Sequence, residues 1–236
     1  MYAGGRKIQM TLEEPEILRV HRTREEARTT YDRLSRWYDL LEGIWEKKAR
    51  DQAIRMLAAR PAERVLEIGA GTGLSLEGLT RPLKTGGSLY DVDLSPRMLD
   101  RMMHRARRLK LADRVRLVLG DAEHLPLARA SIDAVFMSFV LELFDTPVIP
   151  TVLANCRTTL RVGGRICVVS LSKAGGRSLI RNMYERGHIA FPSFLDCRPI
   201  FVRESLHQAG FRIEEAIRSS LWGLPIEIVL GRKPSG

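Results

Sequence analysis

With 236 residues, 44% of them hydrophobic and 28% charged, the chain is long enough for one α/β domain and its core, and no apolar run approaches the ~18 residues of a membrane span. Cys156, Cys167 and Cys197 are scattered without disulfide-framework or zinc-ligand spacing, which argues for a reducing cytoplasm and against a metal centre, and residues 1–10 lack the apolar core of a secretory signal. The formal net charge of +10 has three candidate causes: nucleic acid, an anionic membrane surface, or solubility alone.

Residues 1–28 are polar with little periodicity and read as an arm. Between residues 31 and 59 the positions Leu34, Trp37, Leu41, Ile44, Trp45, Ile54, Met56 and Leu57 recur at mostly helical spacing, which predicts two helices broken near Gly43 and closed by Pro61. Residues 1–59 are thus an N-terminal arm and cap, and residues 60–236 the main domain. Strands are expected at 65–68, 88–92, 115–119, 132–138 and 165–171, with helices after Gly73, from Ser95-Pro96, and over 151–160. Ser95 suits a helix cap and Pro96 a first turn. The segment 172–200 breaks this rhythm with Gly175, Gly176, Gly187 and Pro192, and reads as a lid over an acceptor. A helix over 202–209 stops at Gly210, and strands at 211–217 and 226–230 close the fold around Gly223 and Pro225. Alternation of this kind predicts an α/β fold, a seven-stranded mostly parallel sheet with helices on both faces.

The densest chemical signal is Glu67-Ile68-Gly69-Ala70-Gly71-Thr72-Gly73, directly after the first strand. Glycines at alternate positions let a backbone turn tightly and approach a ligand. In the dinucleotide pattern G-x-G-x-x-G the third glycine would fall at Leu74, whereas here it is Gly73. The form E-x-G-x-G-x-G resembles motif I of the class I S-adenosylmethionine (SAM) methyltransferases. Asp93 ends the second strand, where a carboxylate can accept both ribose hydroxyls; Asp91 is the weaker candidate. In Gly120-Asp121-Ala122-Glu123-His124-Leu125-Pro126, Asp121 can accept from an adenine amino group and the Ala122 amide can donate to a ring nitrogen. Residues 138–142, after the fourth strand, are where the methionine end and the acceptor should meet.

Residues 60–172 resemble the class I methyltransferase core, and the chain looks like the ubiquinone/menaquinone biosynthesis C-methyltransferase (UbiE/MenG-like) family. The matching elements are Tyr38-Asp39, Asp93-Leu94-Ser95-Pro96-Arg97-Met98-Leu99, the Gly120 to Pro126 run and Leu160-Arg161-Val162-Gly163-Gly164. The resemblance implies a Rossmann-like fold and SAM as cofactor, with S-adenosylhomocysteine as product. It implies a cofactor set of Tyr38, Glu67, Gly69, Ala70, Gly71, Gly73, Asp93, Leu94, Met98, Asp121, Ala122 and Ser138. Leu141-Glu142-Leu143-Phe144 stands where many such relatives carry a histidine-containing sequence.

Attack by a phenolic ring carbon is helped by a base or a polarising cation. Candidate catalytic residues are His188, Tyr184, Arg198 and Glu142, with His124 a weaker one on the adenine side. Trp37, Tyr38, Trp45, Phe191 and Phe194 could wall an apolar acceptor pocket. The expected acceptor is a small apolar or lipid-like molecule, first a quinone-precursor ring carbon; an ethanolamine headgroup or another small molecule is the alternative. The basic cluster Arg101, Arg105, Arg107, Arg108, Lys110, Arg114 and Arg116 suits peripheral contact with the inner face of an anionic membrane. A homo-oligomer is a further partner to test. Nucleic acid is disfavoured because Ser138-Phe139-Val140-Leu141 lacks the [D/N]-P-P-[Y/F] motif of amino-directed base methylators. A nicotinamide-dependent oxidoreductase and a cofactor-binding scaffold without catalysis are the remaining readings.

Overall fold

The computed structural model describes residues 46–84, 86–174, 198–221 and 223–235. In chain order these form α1 (Lys47–Leu57), β1 (Arg64–Ile68), α2 (Leu76–Thr80), β2 (Ser88–Asp93), α3 (Pro96–Arg108), β3 (Val115–Leu119), β4 (Ile132–Ser138), α4 (Ile149–Thr159), β5 (Leu160–Leu171), α5 (Val202–Gln208), β6 (Arg212–Leu221) and β7 (Leu224–Arg232). Short 3₁₀ turns lie at Ala112–Arg114, Ala122–His124 and Leu141–Leu143.

The seven strands make one sheet in the order β3-β2-β1-β4-β5-β7-β6. The first five run parallel, and β7 lies antiparallel between β5 and β6. The chain steps outward from β1 to β3 and then returns to the other side of β1 with β4. That reversal opens a crevice beyond the carboxyl ends of β1 and β4, the usual ligand position in such sheets.

Two apolar clusters fill the two faces. Alternate residues of β1 divide between them, Val65 on one side and Leu66 and Ile68 on the other. The first cluster packs α1 through Ala49, Ala53 and Leu57, and α3 through Met102 and Ala106. The second packs α4 through Val152, Leu153 and Cys156, and α5 through Val202 and Leu206. Arg165 ties α1 to the sheet. Its guanidinium donates to Leu57 O (2.5 Å) and Ala58 O (2.8 Å) and forms a bidentate pair with Glu63 (2.9 and 2.7 Å).

The helix opening at Ser95 is as the sequence predicts: Ser95 Oγ accepts from Met98 N at 3.1 Å and Pro96 occupies the first turn. Other boundaries move. The Val162-Gly163-Gly164 turn is drawn into β5, because Gly163 N donates to Lys233 O and Lys233 N to Gly164 O, extending the sheet past the glycines. The closing strands are longer than expected, and Leu221 pairs with Leu224 so that Pro225 enters β7 instead of the turn. Of the two helices expected over 31–59, α1 accounts for the second; residues 31–45 lie outside the described residues.

Candidate functional site

β1 runs straight into the glycine bend, and all three glycines take positive φ: Gly69 at 70°, Gly71 at 54° and Gly73 at 78°. A side chain would be strained at each. Their surroundings differ. A Cβ on Gly69 would stand 2.3 Å from Val140 Cγ2, and one on Gly73 would stand 3.0 Å from Met102 Cγ, but one on Gly71 would meet nothing within 4 Å. The bend is therefore packed at both ends and open in its middle.

Asp93, at the carboxyl end of β2, faces this opening. Its Oδ2 accepts from Gly71 N at 2.9 Å and its Oδ1 from Ser95 N at 2.8 Å. One carboxylate thus fixes the bend against the start of α3. Leu94 is half-buried between Asp93 and the Ser95 cap; Ala70 is buried and its carbonyl accepts from Gly73 N. Met98 is buried on the inner side of α3.

The loop after β3 is shaped by Asp121, whose Oδ1 accepts from Glu123 N at 2.9 Å and starts the 3₁₀ turn. Ala122 is buried beneath it, and His124 is exposed. Asn155 of α4 fastens this loop by donating from Nδ2 to Ala122 O (3.2 Å) and Glu123 O (2.7 Å). At the end of β4, Ser138 Oγ is buried with no hydrogen-bond partner among the described residues. Phe139 follows with φ 52°, a strained value for a bulky residue, and its amide donates to Val169 O at 2.8 Å. The strained turn delivers Val140 onto Gly69.

Glu142 and Arg198 come together at the end of β5 but are buried, at 0% and 1% exposure. Glu142 Oε1 accepts from Leu171 N at 3.3 Å. Burial pushes the Glu142 carboxyl up to about 7, with hydrogen bonds and the nearby Arg198 charge offsetting part of the effect. Arg198 donates to Phe144 O and to Thr146 Oγ1 (3.0 Å), so its guanidinium pins the loop that follows Glu142. Glu67 is buried too, and burial pushes it up to about 7 against the opposing pull of Ser75, Asp91 and Arg50. Tyr38, Tyr184 and His188, and the aromatic residues Trp37, Trp45, Phe191 and Phe194, lie outside the described residues.

The structure therefore brings Glu67, Gly69, Ala70, Gly71, Gly73, Asp93, Asp121, Ala122 and Ser138 to the carboxyl edge of β1 to β4. Sequence reasoning missed Asn155 and the packing of Val140 against Gly69. Nothing local marks Asn155, since its role depends on α4 crossing beside the β3 loop. Val140 had one signal, its place immediately after a strand end.

Comparison with known proteins agrees with this geometry. Residues 65–164 match the family model described as a methyltransferase domain. The chain is 33% identical over 151 residues to the demethylmenaquinone methyltransferase of Tropheryma whipplei (strain Twist), covering 62% of this chain and 59% of the relative. It is 34% identical over 151 residues to the malonyl-[acyl-carrier protein] O-methyltransferase of Laribacter hongkongensis (strain HLHK9), covering 61% of this chain and 50% of the relative. The chain thus spans about half to three fifths of the length of these curated relatives. The crystal structure of the [4+2]-cyclase SpnF shares the fold, with a TM-score of 0.74 at 18% identity over 94% of this chain and 100% of that one. Residues 65–164 thus match a methyltransferase domain, and the chain is similar in sequence to demethylmenaquinone and ubiquinone/menaquinone C-methyltransferases.

Proposed function

We propose that the chain transfers the methyl group of SAM to a small apolar or lipid-like acceptor, with a quinone-precursor ring carbon as the best fit. The observation that carries this reading is the bend open at Gly71 and braced by Asp93. A glycine turn that is packed at Gly69 and Gly73 but free at Gly71 leaves backbone room for a ligand, and the buried Ser138 Oγ has no partner among the described residues. These residues fit the cofactor: Asp93 toward the ribose, Asp121 and Ala122 toward the adenine, and Glu67 and Ser138 toward the amino-acid end. Gly69, Gly71 and Gly73 supply the backbone, and Tyr38 would close from the N-terminal side.

The cofactor supplies an activated methyl on a sulfonium, which leaves little bond-making chemistry to the protein. The chain's own task is orientation and exclusion of water. We assign the acceptor side to the end of β4 and to residues 172–200 as its cover. Within it, Tyr184 and His188 are the candidates to polarise or deprotonate an acceptor hydroxyl. Glu142 and Arg198 shape that end of the sheet from below.

The exposed side of α3 and the turn after it carry Arg97, Arg107, Arg108 and Lys110, while Met98, Leu99, Met102 and Ala106 face inward. This face supports docking of a cytoplasmic enzyme on the anionic inner surface of a membrane, where a lipid-like acceptor would reside. No helix among the described residues is long and apolar enough to cross a membrane.

The test is incubation of the chain with isotope-labelled SAM and a lipid extract, followed by mass analysis. A labelled quinone supports the reading; a labelled ethanolamine headgroup or a methyl ester replaces the acceptor. Calorimetric titration with S-adenosylhomocysteine and with NAD separates the cofactor from its rival. Binding of NAD alone would refute the assignment.

A further inference from the structure

Beneath the glycine bend, Glu67 of β1 and Asp91 of β2 are register partners in the parallel sheet. Their i+2 spacing from Val65 and Leu89 puts both on the same face, under α1 and α3. They are 2% and 0% exposed. Glu67 Oε2 and both oxygens of Asp91 accept no hydrogen bond from an N–H or hydroxyl donor among the described residues. Two neighbouring carboxylates in such a place cannot both be ionised.

The surrounding groups decide which one keeps a proton. Arg50 of α1, itself 5% exposed, acts on Glu67, and Ser75, just before α2, is a hydrogen-bond partner of Glu67. Asp93, two residues further along β2, adds a like charge to both acids. From β3 the facing residue is Leu117, which is apolar. From α3, Arg105 lies beside the far end of the bend, its Cδ 3.6 Å from the Cβ position of Gly73. Among the described residues, Arg50 and Ser75 thus serve Glu67, and the partner left to Asp91 is Glu67 itself. Burial pushes Asp91 well above the ordinary carboxylate range, and the charge of Glu67 pushes it further.

We propose that Asp91 is a neutral carboxylic acid at neutral pH and donates its proton to Glu67, so that the pair carries a single negative charge beneath the bend. Asp91 is then a positioning residue. It fixes the Glu67 carboxylate together with Ser75 and leaves one negative charge beneath a pocket that would hold a cationic cofactor. This inference goes beyond the proposed function, and its test involves no cofactor, so the two fail separately.

The test is infrared spectroscopy of the whole chain at pH 7, with unfolding measured from pH 5 to 8. The wild-type spectrum should contain a protonated-acid carbonyl band that Asp91→Asn removes and Glu142→Gln does not fully remove. A group whose folded-state pKa is raised confers stability at low pH and loses it as pH climbs. The wild-type folding equilibrium should therefore fall with pH, by up to tenfold per unit for each retained proton, and Asp91→Asn should fall less steeply. An Asp91→Asn spectrum identical to wild type, or an unchanged pH slope, overturns the proposal. Should Asp91→Asn fail to fold, the band must persist at pH 7 in Glu142→Gln, which leaves the Glu67–Asp91 pair intact; its absence there overturns the proposal equally.

Discussion

Asp93 Oδ2 lies 2.9 Å from Gly71 N, joining the end of β2 to the middle of the glycine bend across 22 residues of chain. The same carboxylate takes Ser95 N, so two backbone amides and the proposed ribose compete for one acid. Replacing Asp93 by Ala should lower affinity for S-adenosylhomocysteine at least tenfold, since a hydrogen bond to a charged group contributes ~1.5–3 kcal/mol. Asp93→Asn should retain one of the two amide bonds and lose less. Calorimetry on the folded variants decides this, and unchanged affinity would remove Asp93 from the site.

Gly69 and Gly71 should respond differently to alanine. At both, the positive φ costs about 1–2 kcal/mol. Gly69→Ala adds a collision with Val140 Cγ2, so its unfolding midpoint should drop the more, and Val140→Ala should recover part of the loss. Gly71→Ala meets no protein atom, so its principal effect should be on cofactor affinity. Denaturant unfolding beside ligand titration separates the two effects.

Arg165 should be the most sensitive charged position among those described. Its guanidinium holds two carbonyls at the end of α1 and both oxygens of Glu63. Arg165→Met leaves the part-buried Glu63 carboxylate with only the Arg60 amide, and removing a partner of this kind costs ~1–3 kcal/mol. Burial raises Glu63, but Arg165 and the Arg60 amide outweigh it and hold the carboxyl below its ordinary value. A lowered pKa confers stability above the ordinary value that is lost as pH falls. Arg165→Met should therefore show a weaker acid dependence, and Arg165→Met/Glu63→Gln should recover stability in a double-mutant cycle.

Glu142 offers a pH test of the opposite sign. Its folded-state pKa of about 7 is above the ordinary carboxylate value. Its contribution is complete at low pH and disappears as pH climbs through about 7. Glu142→Gln keeps an acceptor for Leu171 N and should flatten that decline, by at most ~1.4 kcal/mol per pH unit. Thermal melts between pH 5 and 8 provide the readout. A loss of methyl transfer far larger than the stability change would give Glu142 a direct catalytic part.

Much of the nucleotide side was legible because its signals are local. Glycines at alternate positions permit positive φ wherever they sit, and Ser95-Pro96 opens a helix by its own chemistry. Asp93 could be placed because a strand end followed by a capped helix has few geometries. Partners distant in sequence were not legible. Arg165 meets Leu57 across 108 residues, and Asn155 meets Ala122 across 33. The pairing of Glu67 with Asp91 depends on the register of two strands, which neither strand specifies alone. Glu142 and Arg198 were singled out for their charge, but their burial was not legible, because it follows from packing that spacing does not reveal.

The bridge between Ser172 and Ile200 bears on how such a domain diversifies. Lys173 N donates to Ile200 O and Ile200 N to Leu171 O, so both stems of the intervening segment are sewn to the sheet by main-chain bonds. Main-chain stitching is indifferent to side-chain identity. Stretches of other lengths and compositions could be spliced between these stems while the register of β5 with β4 and β7 is kept. With residues 172–200 as the proposed acceptor cover, acceptor preference would be exchangeable as a cassette, and a chimera carrying a foreign segment between residues 174 and 198 should keep the sheet's cooperative melting while changing the acceptor.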